Sequence, residues 1–164
     1  MNRTAKAQVQ ARLLVLICLG SLAAVSAALI EQHVFGVRPC PWCVLQRLEF
    51  LLIALVAGLG WAVHRVRPAR MLAFALLFVL GVCGVASAYY QHEVASQMAS
   101  CAMTLADRIL TTFQLETAVP PLFMVTASCS EASQYRLLGM SYEIWSGALF
   151  SATLLLALIG LRKR

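Results

Sequence analysis

Four long apolar segments constrain this chain more than any other feature of its sequence. They cover residues 13–30, 43–63, 71–90 and 144–161, and each approaches the roughly 20 residues that a helix needs to cross about 30 Å of hydrocarbon. Hydrophobic residues make up 61% of the chain and charged residues 12%, whereas soluble domains contain about half and a quarter. We therefore predict an all-α integral membrane protein, a single domain over residues 1–164 that forms an antiparallel four-transmembrane-helix bundle.

The basic residues indicate how the chain crosses the membrane. Nine of the thirteen lie within residues 3–12, 65–70 and 162–164, and four spans bring these three clusters to one side. The positive-inside rule makes that side cytoplasmic. We therefore predict cytoplasmic N- and C-termini and two outer loops, at about residues 31–42 and 91–143. The net charge of +6 is a topology signal and not an indication of nucleic-acid binding.

The first apolar segment has an alternative interpretation as a cleaved signal peptide. A basic start and small residues at positions 24–27 fit such a peptide. The apolar run is longer than the usual 7 to 15 residues, so we interpret it as a span. Cleavage would leave the later cysteines on the same side of the membrane.

The long outer loop is too apolar to be disordered. Leu105, Ile109, Leu110 and Phe113 recur at helical spacing, which favours a short amphipathic helix at the membrane surface. The alternative is a loop that folds back on the bundle. Both alternatives keep this segment near the bilayer.

A C-x-x-C motif, Cys40-Pro41-Trp42-Cys43, lies between the first two spans. Two thiols at this spacing can close a disulfide that exchanges easily. A structural role explains the motif poorly, because so tight a ring removes little chain entropy. Haem attachment would need a histidine directly after the motif, where Val44 stands. The motif therefore predicts a membrane redox site.

The six cysteines fall into two groups. Cys18 and Cys83 lie inside spans and fit small apolar packing residues. The other four cysteines lie on the outer side, where disulfides persist. They are the two of the C-x-x-C motif together with Cys101 and Cys129. Proximity favours a disulfide within the motif and leaves Cys101 to pair with Cys129; these two are here called the loop pair. The loop pair is either a redox couple or a structural staple, which would stabilise the folded state by roughly 3 to 4 kcal/mol. An oxidising compartment disfavours a zinc site of four thiolates, so we expect no metal.

Arg47 follows the motif by one helical turn and lies on the same face as Cys43. A fixed cation favours a thiolate, or any other anion, beside it. If the second span begins just after Cys40, either cysteine of the motif lies at the helix N-terminus, where backbone N–H groups also lower a thiol pKa. The alternative role for Arg47 is an interfacial anchor or an ion-pair partner for Glu31 or Glu49.

Two dithiols on one face of a membrane protein need an electron acceptor, because exchange alone only moves a disulfide from one pair to another. The chain has no dinucleotide-binding fingerprint, no haem-attachment motif and no obvious metal cage. By elimination, we expect a lipid-soluble acceptor such as a quinone, reached through the bilayer.

With these residues in view, the chain resembles the disulfide bond formation protein B (DsbB) family of bacterial inner-membrane thiol oxidases. The number of spans and the order of the loops agree, and the resemblance covers nearly the whole chain. The matching residues are Arg38 to Cys43 with Arg47, Tyr90 to Glu93 before Cys101, Pro120 to Phe123 before Cys129, and Leu137 to Met140 with Trp145.

The resemblance implies a catalytic cycle. The periplasmic thiol oxidase DsbA, when reduced, would attack the loop pair, with Cys101 in the mixed disulfide and Cys129 as its partner. Electrons would pass to Cys40 and Cys43, and Cys43 would engage bound ubiquinone or menaquinone while Arg47 stabilises the developing negative charge. The protein would be a protein-dithiol:quinone oxidoreductase of the inner membrane, with its active cysteines on the periplasmic side.

Three further polar residues near these segments have less specific interpretations. His92 matches a family histidine near the quinone pocket, and its alternative is a hydrogen-bonding histidine at the membrane interface. Arg38 and Glu31 fit a solvated face.

Two other kinds of protein combine four spans with cysteines. A reductase of the vitamin K epoxide reductase type also pairs a membrane C-x-x-C with loop cysteines, but places that motif late in the chain, whereas here it follows the first span. A tetraspanin-like scaffold would use its disulfides only as staples. Exchange of the loop pair with a partner thiol would distinguish an enzyme from such a scaffold.

Overall fold

Four long helices account for most of the structure. The computed structural model describes residues 3–98, 100 and 102–163. Four of its helices are long and apolar enough to cross a membrane, which confirms the predicted all-α architecture. Three of them extend past the predicted segments at both ends, because hydropathy detects only the apolar part of a helix. The helices are α1 (Arg3–His33), α2 (Pro41–Ala62), α3 (Arg67–Glu93), α4 (Leu105–Thr112), α5 (Leu115–Ala118), α6 (Pro120–Phe123), α7 (Cys129–Ala132) and α8 (Tyr142–Arg162).

Proline defines where α2 and α3 begin. Pro41 and Pro68 lie in the first turns of their helices, where the missing N–H costs no hydrogen bond and the fixed φ suits the helix. Cys40 is the extended N-cap residue of α2, with φ −91° and ψ 169°. The C-x-x-C motif therefore lies at the N-terminus of a membrane helix.

Aromatic rings and glycines fill the centre of the bundle formed by α1, α2, α3 and α8. The rings of Phe50 and Phe150 stack with centroids 4.1 Å apart, and Phe74 is fully buried. A Cβ on Gly84 would lie 2.2 Å from the ring of Phe150, and one on Gly160 would lie 2.3 Å from the ring of Phe74. The two glycines thus allow the helices to approach each other closely, as packing in lipid requires.

We expect Gly84→Ala to destabilise the bundle by about 1–3 kcal/mol, because the added methyl group overpacks a filled core. The measurement is the thermal unfolding midpoint of the purified protein in detergent. Gly20→Ala is the matched control, since a Cβ at Gly20 meets nothing within 4 Å. Equal midpoints for the two variants would contradict the close packing of Gly84 against Phe150.

Short elements connect α3 to α8 at the end of the bundle that carries the C-x-x-C motif, here called the loop end. A 3₁₀ turn covers Ala95–Gln97, and a two-stranded antiparallel hairpin pairs Arg136–Leu137 with Met140–Ser141. The turn of the hairpin places Leu138 and Gly139 at φ 52° and 84°, as tight hairpin turns require. Sequence reasoning did not anticipate this hairpin.

The expected amphipathic helix in the long loop is present as α4, and only part of its apolar face packs against the bundle. Ala106 and Leu110 are buried, whereas Leu105 and Phe113 are 62% and 68% exposed. Leu110 packs beside Val44 of α2 in a small apolar cluster. The segment is thus helical and also folded back on the bundle, so the two expected alternatives occur together.

Candidate active site

The two sulfurs of the C-x-x-C motif lie side by side at the N-terminus of α2. Their Sγ atoms are 2.8 Å apart, and the Cys43 backbone N–H donates to the Cys40 sulfur at 3.3 Å. Both cysteines are free thiols. A pair held this close to a helix terminus is suited to reversible disulfide formation.

The environments of the two sulfurs differ. Cys40 is fully buried, and burial raises the pKa of its thiol well above the ordinary value, with the hydrogen bond to the Cys43 sulfur acting in the same direction. Cys40 therefore stays protonated at neutral pH. Cys43 lines a cavity, whereas Cys40 is not among the lining residues. The helix-terminus argument left open which of the two cysteines meets a ligand. The cavity favours Cys43.

The cavity lies among the loop ends of α1, α2, α3 and α8 and has a volume of about 200 Å³. Most of its wall is apolar. It is smaller than the ~300–1,000 Å³ pockets that enclose drug-sized ligands, so it suits a single ring with any long tail left outside. Representative lining residues are Ala28, Val37, Cys43, Arg47, Phe50 and Leu149.

Arg47 brings a positive charge to this cavity and is only 6% exposed. Its guanidinium donates to the Gln32 side chain at 2.5 Å and to the carbonyls of Leu122 and Ala28 at 3.2 and 3.3 Å. No carboxylate of the described residues forms a salt bridge with it, so the ion-pair alternative is not supported. A buried cation without an anionic partner favours a ligand that carries or develops negative charge.

Two glutamines that the sequence analysis did not select lie beside the sulfurs. Gln91 of α3 donates from Nε2 to the sulfur of Cys43 at 3.2 Å and to that of Cys40 at 3.6 Å. Gln46 of α2 donates to the Gln91 oxygen at 2.8 Å. Both side chains are buried, at 3% and 4% exposure for Gln46 and Gln91. In the sequence, the feature that could have identified these two glutamines is a polar side chain within an apolar helix, since such residues in membranes are functional candidates.

His92 and Glu143 form a polar pair at the edge of the cavity. His92 Nδ1 lies 3.1 Å from a carboxylate oxygen of Glu143. Glu143 is 4% exposed and lines the cavity, whereas the predicted ligand residue His92 is not among the lining residues and contacts the cavity wall through Glu143. Glu31 also lines the cavity and accepts a hydrogen bond from Tyr142 at 3.1 Å, so this half-buried side chain is only partly solvated.

The segment before Cys129 is attached directly to the segment before Cys40. Thr126 and Ala127 donate their backbone N–H groups to the Pro39 carbonyl at 3.0 and 3.2 Å. Cys129 itself is disulfide-bonded and 1% exposed, and it belongs to the same buried cluster as Cys40. The long loop therefore brings a second redox-capable sulfur to the motif.

An ion pair joins the same two segments at the surface. Arg38 donates to Glu131 at 2.6 Å, and the side chains are 54% and 41% exposed. Arg38 is therefore solvated, as expected, but it also contacts the loop. Cys101, the predicted partner of Cys129, lies outside the described residues, so their pairing stays a prediction.

Sequence comparison finds relatives over almost the whole chain. The family described as "Disulfide bond formation protein DsbB" matches residues 10–160. A "Disulfide bond formation protein B" from Polaromonas sp. strain JS666 is 34% identical over 153 residues, which cover 92% of this chain and 88% of the relative. A "Disulfide bond formation protein B 1" from Pseudomonas fluorescens is 33% identical, with 91% and 88% covered. A "Disulfide bond formation protein B" from Acinetobacter baumannii is 31% identical, with 87% and 85% covered.

Proposed function

The chain belongs to the DsbB family of disulfide bond formation proteins, and from this premise we propose that it is a quinone-linked thiol oxidase. It takes electrons from a periplasmic thiol oxidase of the DsbA kind through the loop pair and the C-x-x-C motif, and so regenerates the partner's disulfide. The observation that carries the proposal is the small, mostly apolar cavity lined by Cys43 and by Arg47, whose guanidinium forms no salt bridge with a carboxylate of the described residues.

The contact between the long loop and α2 supports electron transfer between the two sulfur pairs. Reduction of the loop pair leaves Cys129 as a thiolate in the same buried cluster as Cys40. Attack of that thiolate on Cys40 forms a Cys40–Cys129 disulfide, and Cys43 leaves as a thiolate with the electron pair. The hydrogen bonds from Thr126 and Ala127 to Pro39 hold the two segments together for this exchange.

The residues of the cavity fit a quinone ring. Apolar side chains surround the space, and Arg47 can donate to a carbonyl oxygen and stabilise negative charge on it. A bound quinone supplies a two-electron, two-proton acceptor at this position. Cys43 contributes the electron-rich sulfur, and most of the wall around it is apolar. Ubiquinone and menaquinone both meet these requirements.

The proposal also gives the direction of electron transfer and the location of the protein in the cell. DsbA is a strong oxidant at about −120 mV, so only a more oxidising acceptor such as a quinone can reoxidise it. The end of the bundle opposite the motif carries basic residues in the α2–α3 connection, in the first turn of α3 and at the C-terminal end of α8. They are Arg65, Arg67, Arg70, Arg162 and Lys163. This distribution supports an inner-membrane protein whose active cysteines face the periplasm.

The test is quinone reduction by the purified full chain in detergent. Adding reduced DsbA and a short-tailed ubiquinone is expected to give stoichiometric quinol and oxidised DsbA, followed by absorbance and by thiol titration. Oxidation of DsbA without quinol formation, or no reaction between DsbA and the quinone, would overturn the proposal.

Within the same assay, Arg47→Ala is expected to lower the quinone-dependent rate at low quinone by about 10- to 100-fold. Loss of a hydrogen bond to a charged group costs about 1.5–3 kcal/mol. The first thiol exchange with DsbA should stay intact. Arg65→Ala, at the opposite end of the bundle, is the control. An unchanged dependence on quinone concentration would exclude Arg47 from the site.

A further inference from the structure

We propose that Gln91 is a further catalytic residue of this site, which donates its amide N–H to the sulfurs of Cys40 and Cys43 and stabilises the negative charge on Cys43 when the pair is reduced. The inference rests on the proposed function, because it gives a specific role to one residue beside the same sulfur pair. Arg47 then provides the charge in the cavity, and Gln91 provides a direct hydrogen bond to the reacting atom.

The geometry places one donor against both sulfurs. Gln91 Nε2 lies 3.2 Å from the Cys43 sulfur and 3.6 Å from the Cys40 sulfur. Gln91 belongs to α3, so it approaches the pair from a different helix than the motif itself. Because the side chain is 4% exposed, water does not compete effectively for this donor.

Gln46 occupies the oxygen end of the Gln91 amide, which leaves the NH₂ end toward the sulfurs. The Gln46 NH₂ group donates to the Gln91 oxygen at 2.8 Å, and Gln46 is itself 3% exposed. A rotation of the Gln91 amide by half a turn would bring two NH₂ groups together and leave a buried donor without an acceptor, which costs about 1–3 kcal/mol. The Gln91 NH₂ group is therefore held toward the sulfurs.

This arrangement favours the reduced form of the motif. A thiolate accepts a hydrogen bond more strongly than a disulfide sulfur does, because charge-assisted hydrogen bonds are roughly twice as strong as neutral ones. A donor fixed in place therefore stabilises the dithiol state relative to the disulfide. Stabilisation of the reduced form makes a dithiol–disulfide couple more oxidising, which helps the motif to accept electrons from the loop pair.

The decisive measurement is the equilibrium of the motif with glutathione in the full-length protein. The redox state of the motif is read from the mass of the alkylated peptide that contains Cys40 and Cys43. We expect Gln91→Leu to lower the equilibrium constant for reduction of the motif about tenfold, which corresponds to about 30 mV. Alkylation of Cys43 by iodoacetamide at pH 7 should slow several-fold, and its pH profile should move to higher pH.

Three further variants separate this role from a structural one. Gln91→Met keeps roughly the size of the side chain and has no N–H donor, so it should shift both readouts about as far as Gln91→Leu. Gln46→Leu leaves Gln91 in place but frees its orientation, and should give a smaller shift in the same direction. Gln97→Leu is the control, because Gln97 is exposed and donates to the Glu93 carbonyl.

A purely structural role for Gln91 predicts a lower unfolding temperature with unchanged glutathione equilibrium and alkylation profile. That result in folded Gln91→Met protein would overturn the inference. Neither measurement uses a quinone or a protein partner, so failure of the quinone assay in the unmodified protein would be recognised separately.

Discussion

Cys43→Ser is expected to abolish quinone reduction, with a loss of ~10³-fold or more, as for removal of a residue that acts directly in the chemistry. Cys43 is the only cysteine among the described residues that lines the cavity, and a serine hydroxyl can neither form a disulfide nor carry the electron pair as a thiolate. The rate of quinol formation with reduced DsbA as donor measures this loss. Cys83→Ser, at an exposed free cysteine within α3, is the control.

The same variant tests the route between the two sulfur pairs. With Cys43 absent, Cys40 has no partner in the motif, so its thiolate can attack Cys129 in the predicted loop disulfide and release Cys101 as a thiolate. Peptide mapping should then find Cys40 and Cys129 joined. More than a few per cent residual quinone reduction would show that another sulfur reaches the quinone. A Cys40 that stays unlinked would contradict the proposed exchange.

Substitution of Cys129 in the loop pair is expected to trap a covalent complex with the partner protein. Cys129 is 1% exposed, so a protein partner cannot bring its sulfur to it and has to react with the other cysteine of the pair, predicted to be Cys101. In Cys129→Ala the Cys101 thiolate should attack oxidised DsbA and form a mixed disulfide that no neighbouring thiol resolves. The attack releases the second DsbA cysteine as a thiolate, and the variant lacks the loop-pair thiol that would otherwise resolve the adduct. A non-reducing gel should show this adduct as the main product, and a reducing gel should not.

The control for this experiment is Cys83→Ala, which should form no lasting adduct because the loop pair stays complete. Cys101→Ala should also form none if Cys129 is inaccessible. An adduct through Cys129 in that variant would contradict the buried position of Cys129. The absence of an adduct in Cys129→Ala would favour a structural staple over a redox pair.

The architecture followed from the sequence because hydropathy and the C-x-x-C spacing are local signals. A run of about 20 apolar residues predicts a spanning helix whatever its neighbours are, and Pro41 predicts the start of α2. The sequence also located Cys43 and Arg47 one turn apart on a single helix. These features depend on residues close together in the chain.

Contacts between helices could not be predicted in the same way. Gln46 and Gln91 are 45 positions apart, and hydropathy does not fix the rotation of α2 relative to α3. Glu143 lies in the first turn of α8, but its contact with His92 depends on how α3 and α8 pack. The attachment of Thr126 and Ala127 to Pro39 uses backbone groups, which leave no pattern in the sequence.

The stack of Phe50 on Phe150 has a consequence for the range of ligands that the protein accepts. Phe50 is part of the cavity wall, Phe150 supports it from behind at 4.1 Å, and Gly84 provides the space that Phe150 occupies. The position of this part of the wall therefore depends on Gly84, which does not itself line the cavity. Among related proteins, a bulkier side chain at the position of Gly84 would push both rings inward and select thinner headgroups, without any change in the lining residues themselves.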